Sequence, residues 1–436
     1  MFETLTYLFT ALVTIGIPVR YVYKNSKRTE KAKKKLQESF DKGLTDPISL
    51  HPKIDPTRCI GTTACVKACP EGEILGVLGG KATLVSPTKC IGHGACEAIC
   101  PVEAISLVFG TERRGVELPY VKENFETNVP GIYIAGELGG MGLIRNATLQ
   151  GKETVKHIVA RQNGNGRGRG ELDVIVVGAG PAGIAASLQA MKQKLSFVTL
   201  EQDQFGGTVL NYPRQKLVMT QPMEIPLYGK VRFREILKED LLNLWGDVIQ
   251  KTGLEIKSKE KVESVERPNG FFRVHTTKGE YLTHNVLLAI GRTGTPRKLG
   301  VPGENSSKVA YRLLEPEQYA YKKVLVVGGG DSAVEAALSL SEQKGTVVVL
   351  SYRKNMFSRI KEKNETRIER AAKNGRVHLL FESTVTEIQS DKVYLKYKDK
   401  RVAIANDYVF IFAGGVLPTQ FLKDMGINIV KKFGER

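Results

Sequence analysis

Apolar residues are concentrated in short continuous runs, and two of these runs lead directly into glycine-rich turns followed by a helical pattern. The run at residues 172–177 precedes GAGPAG at residues 178–183, and the run at residues 323–327 precedes GGGDSA at residues 328–333. Short apolar runs between turns and helices are typical of the buried parallel strands of α/β proteins. The pattern therefore predicts two Rossmann-like α/β domains.

The apolar run at the N-terminus has a different character. Residues 4–19 carry no charge, whereas residues 20–42 carry nine Lys or Arg and three Asp or Glu. With the aromatic residues that follow, the run approaches the roughly 20 residues that span a bilayer. It predicts a single membrane anchor, or alternatively an apolar helix buried against the protein or a partner. The basic stretch is either a solvated helix or a contact with anionic lipid, and beside an anchor it predicts the cytoplasmic face of the inner membrane.

The composition allows two or three domains with proper cores, because the chain has 436 residues and a hydrophobic content of 42%. The formal net charge of +18 favours acidic partners. An anionic membrane surface fits this charge, as does an acidic redox protein or other electron carrier. We discount nucleic acid, since no nucleic-acid-binding motif accompanies the charge.

All six cysteines lie in two similar motifs. These are CIGTTACVKACP at residues 59–70 and CIGHGACEAICP at residues 90–101. Dense cysteines followed by proline indicate metal ligation in a reducing compartment. The repeat resembles the bacterial two-cluster ferredoxins, whose motif is C-x2-C-x2-C-x3-C-P. It predicts two iron–sulfur clusters, and the alternative is a ferredoxin fold that has lost its clusters.

The ferredoxin resemblance implies which cysteines share a cluster, because in that family the cysteine before proline crosses to the other cluster. The implied groups are Cys59, Cys65 and Cys100 for one centre, and Cys69, Cys90 and Cys96 for the other. Thr62 and His93 stand where the pattern has its second cysteine. His93 either ligates iron or donates a hydrogen bond to a cluster sulfide. Each centre is then a [3Fe–4S] cluster or a [4Fe–4S] cluster with one non-cysteine corner.

The first glycine-rich turn has the context that dinucleotide binding requires. It follows a predicted strand, opens a helix and has the pattern G-x-G-x-x-G. Glycines let the backbone approach a pyrophosphate, and the helix N-terminus favours its negative charge. An acidic residue at the end of the next strand suits the ribose hydroxyl groups. The candidate residues are Gly178, Gly180, Pro181, Ala182, Gly183 and Glu201.

The second glycine-rich turn opens a similar unit. Its candidate residues are Gly328, Gly330, Asp331, Ser332 and Ala333. The strand that follows ends in the cations Arg353 and Lys354 and not in a carboxylate, which favours NADPH over NADH. These two cations, with help from Arg359, would hold the 2′-phosphate. The alternative is that all three belong to a solvated loop.

The segment FETNVPGIYIAGELGG at residues 125–140 stands before the first glycine-rich turn. Together with both glycine-rich turns and the apolar segments at residues 286–291 and 407–415, it resembles the thioredoxin-reductase-like flavoproteins. That family includes ferredoxin–NADP reductases. The resemblance covers residues 110–436 and implies FAD in one domain and NADPH in a smaller domain inserted within it. Family members carry the first segment at the C-terminal end of the FAD domain, so its position here implies circular permutation.

The same resemblance implies residues around the flavin. These are Gly136, Glu137, Asn146, Ala147, Gly207, Thr208 and Gly291. The first two would lie at the FAD pyrophosphate and ribityl chain, where the family usually has Gly-Asp. The next two would lie near the flavin pyrimidine edge, at the start of a helix, and the Gly-Thr pair would line the other face of the isoalloxazine. Each position also fits an ordinary turn.

One part of the family pattern is missing. Thioredoxin reductases carry a Cys-x-x-Cys dithiol shortly before the second glycine-rich turn, and residues 309–321 contain no cysteine. A thiol-exchange relay cannot operate without that dithiol. The upstream cysteine motifs offer electrons another route.

We therefore predict an α/β fold with two Rossmann-like domains for FAD and NAD(P), a small α+β two-cluster ferredoxin-like domain and an N-terminal apolar helix. The predicted boundaries are 1–45 for the anchor and basic helix, 46–109 for the iron–sulfur domain, 110–162 for the permuted segment, 163–170 for a glycine-rich linker, 171–291 for the FAD domain, 292–405 for the NAD(P)H domain and 406–436 for the return to the FAD domain.

These parts predict an NAD(P)H-dependent flavoprotein oxidoreductase that passes electrons between NADPH, FAD, iron–sulfur centres and an external redox carrier. FAD suits this role because it links two-electron to one-electron transfer. No catalytic side chain beyond the cofactor sites is predicted. One alternative is NADPH-dependent reduction of a small disulfide or organic acceptor at the flavin, with a structural ferredoxin module. Another is a redox sensor with little turnover. The family resemblance implies a homodimer.

Overall fold

The computed structural model divides into two compact units. One contains Met1–Val116 and Lys431–Arg436, and the other contains Glu117–Val430. The described residues are 12–47, 50–112, 114–140, 142–162, 171–212, 214–233, 235–268, 270–292, 295–358, 360–416 and 418–435. The predicted linker at residues 163–170 and the predicted 2′-phosphate ligand Arg359 lie outside them.

Helices and strands alternate through most of the described chain. The α-helices are α1 Ile17–Asp41, α2 Ala64–Ala68, α3 Ala95–Ala98, α4 Ile144–Gln162, α5 Pro181–Lys192, α6 Lys238–Thr252, α7 Asp331–Ser341, α8 Glu362–Lys373 and α9 Thr419–Asp424. The strands are β1 His51–Ile54, β2 Leu75–Leu78, β3 Lys81–Leu84, β4 Ile105–Val108, β5 Val116–Pro119, β6 Ile132–Ile134, β7 Val174–Val177, β8 Phe197–Leu200, β9 Leu217–Met219, β10 Met223–Ile225, β11 Gly229–Val231, β12 Glu235–Leu237, β13 Val262–Glu266, β14 Phe272–Thr276, β15 Gly279–Thr283, β16 Val286–Leu288, β17 Thr295–Pro296, β18 Val309–Ala310, β19 Lys323–Val327, β20 Val347–Tyr352, β21 Val377–Phe381, β22 Ser383–Ile388, β23 Lys392–Tyr397, β24 Lys400–Ala405, β25 Tyr408–Ile411, β26 Gly415–Val416 and β27 Ile429–Lys432.

The first unit holds both cysteine motifs between two small antiparallel sheets. Strand β1 pairs with β4, and β2 pairs with β3. Helix α1 packs on β2, where a Cβ at Gly76 would lie 2.6 Å from the Cβ of Ala32. The Ser39 hydroxyl donates a hydrogen bond to the carbonyl of Val85 at 2.8 Å. The C-terminal half of α1 is therefore part of the cysteine module.

No described helix supports the predicted membrane anchor, and residues 4–11 of that segment lie outside the described residues. Helix α1 is charged from Arg20 onward, and only residues 12–19 of the uncharged run are described. Across the described ranges, no helix is long and apolar enough to cross a membrane. This finding also overturns the predicted location at the inner membrane. The described part of the segment is not buried within the protein, since Ile17 is 62% exposed and Val22 is 64% exposed.

The second unit has two lobes of similar architecture. In the first lobe, parallel strands in the order β6-β16-β7-β8 are covered by α4 and α5 on one face and by the antiparallel sheet β13-β14-β15 on the other. Alternate residues of β7 serve the two faces, because successive side chains of a strand point in opposite directions. Val174 and Val176 pack with the helices, whereas Ile175 and Val177 pack with the antiparallel sheet.

The segment that precedes the first glycine-rich turn in sequence lies in the same sheet as that turn's strand. Strand β6 pairs in parallel with β16, with Ile132 opposite Val286, and β16 pairs on its other side with β7. Helix α4 follows β6 and packs closely on α5, since a Cβ at Gly151 would lie closer than 3.0 Å to the carbonyl oxygen of Ala182. The order of strands in the sheet thus differs from their order in the chain, as the permutation requires.

The second lobe contains a parallel sheet in the order β18-β25-β19-β20-β21, with the antiparallel sheet β22-β23-β24 packed on one face. The position of strand β25 differs from the predicted domain boundary. Residues 406–436 were expected to return to the FAD domain. Instead Tyr408 lies opposite Val324 of β19, and the apolar strand is buried between two parallel neighbours. The return begins later, where Leu422 and Ile427 join the core of the first lobe. The last residues belong to the first unit.

Candidate functional site

A cavity of about 550 Å³ lies at the carboxyl end of β7, beside the first glycine-rich turn. Ligands of open α/β sheets bind at this end of the strands. Most of the predicted flavin-site residues line it. They are Gly136, Glu137, Ala147, Gly178, Gly180, Pro181, Ala182, Glu201, Gly207, Thr208 and Gly291. Asn146 and Gly183 lie outside the lining.

Gly178 and Gly183 shape the turn that presents the N-terminus of α5 to the cavity. Gly178 has a φ of +105°, and a Cβ there would lie 2.6 Å from the carbonyl oxygen of Ala289. A Cβ at Gly183 would lie closer than 3.0 Å to the carbonyl oxygen of Gly178. Gly183 therefore allows close helix–strand packing and does not contact the cavity. The helix N-terminus that results is suited to bind a phosphate.

Three backbone segments approach one another at this end of the cavity without intervening side chains. A Cβ at Gly136 would lie 3.1 Å from the Cβ of Ala182, and a Cβ at Gly207 would lie 3.1 Å from the Cα of Gly180. We call the backbone around Gly136, Gly180 and Gly207 the glycine cradle. A larger side chain at any of these positions would occupy the space between the segments, so the residues present fit an extended dinucleotide such as FAD.

Glu201 is held rigidly at the end of β8. One carboxylate oxygen accepts a hydrogen bond from the backbone N–H of Ala179 at 2.7 Å, and the other accepts one from the N–H of Asp203 at 2.9 Å. Each oxygen keeps a second lone pair. The carboxylate can therefore accept the two ribose hydroxyl groups while the backbone fixes its orientation.

The sequence reasoning missed an electrostatic interaction between two half-buried residues, Glu137 of the cavity lining and Arg292. Burial raises the pKa of Glu137, and the Arg292 guanidinium opposes that shift. Burial lowers the pKa of Arg292, and Glu137 opposes it in turn. Burial also raises the pKa of Tyr212 to about 12, with Glu137 and Glu335 adding to the shift. Arg292 could have been found from the sequence, because it directly follows the predicted site residue Gly291. Tyr212 belongs to no motif, so nothing in the sequence singled it out.

The second glycine-rich turn is built like the first. A Cβ at Gly328 would lie 2.5 Å from the carbonyl oxygen of Phe412, and Gly330 is the residue before α7. The carboxylate of Asp331 accepts hydrogen bonds from the Lys361 N–H at 2.9 Å and from the Asn364 side chain at 2.7 Å. Asp331 thus fastens the turn to α8, which is a positioning role that its motif did not predict. Ala333 is buried and Ser332 is exposed.

Arg353 and Lys354 lie exposed just after β20, next to the strand that carries the second glycine-rich turn. The Lys354 ammonium is 3.5 Å from the Ser358 hydroxyl. Two cations near a glycine-rich turn suit a 2′-phosphate. The third predicted cation, Arg359, is outside the described residues.

The two lobes contact each other beside the cavity. The Lys216 ammonium of the first lobe lies 2.8 Å from the Glu335 carboxylate on α7, and it also lies 4.4 Å from the centre of the Tyr212 ring. The Asn364 amide donates to the other oxygen of Glu335 at 3.0 Å. This contact links the helix that follows the second glycine-rich turn to Tyr212, which lines the candidate flavin cavity.

The first cysteine group lies in the core of the first unit. None of the six cysteines forms a disulfide bond. Burial raises the pKa of Cys65, and the nearby Cys59 and Cys100 raise it further. The cysteine before the second proline thus lies near two cysteines of the other motif, as the ferredoxin resemblance implies. Thr62, at the missing position, is exposed, and its hydroxyl accepts a hydrogen bond from the Ala64 N–H at 3.4 Å.

In the second cysteine group, Cys96 is buried and Cys69 and Cys90 are half-buried. Burial raises the pKa of Cys90 to about 11, with Cys69 and Glu71 adding to the shift. Burial raises the pKa of Cys96 to about 12, with Cys90 and Cys69 adding to it. His93 Nε2 lies 3.6 Å from Glu71 Oε1, and both side chains are 10% exposed. Because cysteine binds metal as the thiolate, metal binding by these thiols would release protons.

The two missing-cysteine positions therefore differ, because one carries an exposed hydroxyl and the other an enclosed imidazole beside a carboxylate. The spacing of the cysteines did not predict a role for Glu71, which directly follows the first motif in the sequence. Within the described ranges, no three His, Cys, Asp or Glu side chains are arranged to hold a single metal ion. The ligand roles of these residues remain a prediction.

The family comparisons divide the chain in the same way. Residues 175–434 match the family described as pyridine nucleotide-disulphide oxidoreductase. Residues 51–101 match the family described as 4Fe-4S dicluster domain. These matches confirm the resemblance to flavoprotein reductases and to two-cluster ferredoxins.

Individual relatives share the flavoprotein part. Bacilliredoxin reductase Bdr of Bacillus subtilis is 29% identical over 60% of this chain and 82% of its own. A ferredoxin–NADP reductase of Thermus thermophilus is 27% identical over 59% of this chain and 78% of its own. The crystal structure of bacillithiol disulfide reductase Bdr (YpdA) from Bacillus cereus is similar with a TM-score of 0.55 at 27% identity, covering 59% of this chain and 82% of that one.

The mixed α/β fold, the glycine cradle and the family match agree with one another. They support FAD, NADP and iron–sulfur centres as the cofactors. The chain belongs to the pyridine nucleotide-disulphide oxidoreductase family and is an NAD(P)-dependent flavoprotein oxidoreductase joined to a 4Fe-4S dicluster domain.

Proposed function

We propose that this protein transfers electrons between NADPH and one-electron carriers, using FAD and two iron–sulfur clusters. In the direction of NADPH oxidation, one NADPH and two oxidised carriers yield NADP⁺, one proton and two reduced carriers. FAD, when bound, supplies the link between two-electron and one-electron transfer. The observation that carries the proposal is that one chain combines the glycine cradle with two groups of three buried or half-buried cysteines.

The residues of the first lobe would hold FAD by backbone and carboxylate contacts. The N-terminus of α5 and the cradle glycines accept the pyrophosphate, and Glu201 accepts the ribose hydroxyl groups. Glu137 lies at the cavity wall, and the nearby Arg292 guanidinium favours its charged form. The predicted domain boundaries, as corrected at β25, and the homodimer remain part of the proposal.

The cysteines would hold the clusters in crossed groups. Cys59, Cys65 and Cys100 form one group and Cys69, Cys90 and Cys96 the other, with His93 beside the second group. Clusters held by cysteine thiolates accept single electrons. The absence of a cysteine anywhere in residues 101–436 supports an exit through these centres, because the second unit carries no dithiol.

The proposal is tested on protein purified without oxygen. Flavin, iron and sulfide are quantified, and electron paramagnetic resonance spectra are recorded before and after addition of NADPH. The expected result is one FAD per chain, iron and sulfide sufficient for two clusters, and cluster signals that change on reduction. An iron-free protein contradicts the clusters, and a flavin that neither nicotinamide reduces contradicts the enzyme.

Removal of the two cations after β20 is expected to lower the preference for NADPH. In Arg353→Ala/Lys354→Ala, kcat/KM for NADPH should fall by roughly 10- to 100-fold, since a hydrogen bond to a charged group is worth about 1.5–3 kcal/mol. Because NADH has no 2′-phosphate, its kcat/KM should change little. Steady-state flavin reduction with both nicotinamides measures this. Equal losses for the two nicotinamides would indicate a solvated loop.

A second function is supported by the relatives named for disulfides. Bacilliredoxin reductase and bacillithiol disulfide reductase are similar to the flavoprotein part of this chain. We therefore keep reduction of a small disulfide at the flavin, with the ferredoxin module as scaffold, as the competing function. NADPH oxidation is compared with disulfide and one-electron acceptors in wild-type protein and in protein with both cysteine groups removed. The competing function would be favoured if the protein without the cysteine groups still reduced the disulfide and neither protein reduced the one-electron acceptor.

A further inference from the structure

A second cavity, of about 280 Å³, lies between α4 and the hairpin of β10 and β11. We call it the basic pocket. Its cations are Arg145, Lys152, Lys230 and Arg232. Glu224 is the single carboxylate among its described lining residues, and Leu149, half exposed, contributes an apolar wall. The pocket therefore combines an apolar patch with an excess of positive charge.

Little of this charge is neutralised within the protein. The Lys152 ammonium lies 3.0 Å from Glu224, and Arg145 donates to the neutral amide of Gln221 at 2.6 Å. Among the described residues, no carboxylate lies within ion-pair distance of Arg232. The Glu224 carboxylate also lies within the electrostatic reach of Lys230 and Lys192. The pocket lining thus has one carboxylate and four cations, which leaves a positive surface.

The basic pocket and the flavin cavity lie on either side of α4. Ile144 and Ala147 line the flavin cavity, whereas Arg145, Thr148 and Leu149 line the basic pocket. An α-helix with its side chains is about 10–12 Å across. A molecule seated in the basic pocket is therefore one helix away from the flavin.

We propose that the basic pocket is the docking site of an acidic electron-carrier protein, which exchanges single electrons with the flavin across α4. This inference rests on the proposed function. Charge complementarity selects the partner, because a positive surface accelerates encounter with a negative one and rejects a positive one. An apolar centre within a charged rim is the usual anatomy of a protein interface. Docking here gives the flavin a second route to a one-electron carrier, in addition to the route through the clusters.

The test uses the full chain loaded with FAD and a ferredoxin of strongly negative net charge. Binding is measured by calorimetry at low and high ionic strength. In Lys230→Glu/Arg232→Glu, binding at low ionic strength should weaken by about 10-fold or more, and its dependence on salt should become shallower. The matched control is Lys373→Glu/Arg376→Glu, which makes the same charge change on exposed residues at the end of α8 and before β21. The control should bind the ferredoxin like the wild type.

NADPH-dependent reduction of a neutral quinone should be equal in the wild type and both variants, which shows that the flavin site is intact. The docking proposal is overturned if the wild type does not bind the ferredoxin, or if the two variants bind it equally. It is also overturned if inorganic phosphate binds in a Lys230- and Arg232-dependent manner and the ferredoxin does not. Ferredoxin binding without any NADPH-dependent reduction would instead contradict the proposed function and leave the docking site standing.

Discussion

Protein carrying Gly183→Ala is expected to be purified almost without FAD. The added Cβ would lie closer than 3.0 Å to the carbonyl oxygen of Gly178, which is backbone and cannot rotate away. Either α5 or the glycine-rich turn must move, and overpacking of this kind costs about 1–3 kcal/mol. A loss of 3 kcal/mol in binding corresponds to roughly 100-fold in affinity. Flavin absorbance per chain and thermal unfolding measure the effect.

Gly246→Ala provides the matched control, because it makes the same substitution inside α6. The nearest atom to a Cβ at Gly246 is on Phe205, at an ordinary 3.8 Å. This variant should keep its FAD and gain about 0.5–1 kcal/mol of stability, since alanine is the better helix former. If Gly183→Ala retained one FAD per chain, the close packing of α5 on β7 would not be required for the flavin site.

Cys100→Ser is expected to abolish the same cluster signals as Cys65→Ser, although Cys100 belongs to the other sequence motif. The reason is that Cys100 and Cys59 both lie near Cys65 in the first unit. By the same argument, Cys69→Ser should match Cys96→Ser. Each variant should lose about half of the iron and sulfide, because one of two clusters is affected. Metal analysis and electron paramagnetic resonance of protein prepared without oxygen measure this.

Thr62→Cys is the complementary variant, since it restores the second cysteine of the first motif. It should bind iron and sulfide for two clusters, complete a four-cysteine site and change only the signals of the cluster held by Cys59, Cys65 and Cys100. NADPH should still reduce the flavin in every one of these variants, because the nicotinamide and flavin sites contain no cysteine. If Cys100→Ser instead lost the signals that Cys96→Ser loses, the cysteines would be grouped by motif and the crossed arrangement would be wrong.

Much of the flavin site was predictable because its chemistry is local. A glycine at 178 or 136 is needed by the backbone of its own turn, so the requirement appears directly in the sequence. The acidic residue at the end of the next strand follows the same logic. The limit of such reasoning is visible at Gly183, whose motif position was right but whose contact is with the helix–strand packing and not with the cavity.

The errors arose where local composition was used to predict long-range placement. The apolar run before Arg20 suggested an anchor, yet the helix that continues from it has 11 charged residues among its 25 and packs on the cysteine module. The apolar strand at residues 408–411 was assigned to the first lobe, although any buried parallel strand has the same composition. Only its pairing with β18 and β19 shows which sheet it joins.

The chain's sequence was sufficient to identify what each segment is: strand, glycine-rich turn, cysteine motif or basic helix. These properties depend on neighbouring residues and on backbone conformation, which are local in the chain. Tertiary structure decided which segments meet. The displaced strand β6 lies beside β16, Arg292 faces Glu137, Glu71 lies beside His93, and α4 separates a basic pocket from the flavin cavity. These contacts depend on strand pairing and burial between residues far apart in sequence, so a local sequence pattern does not predict them.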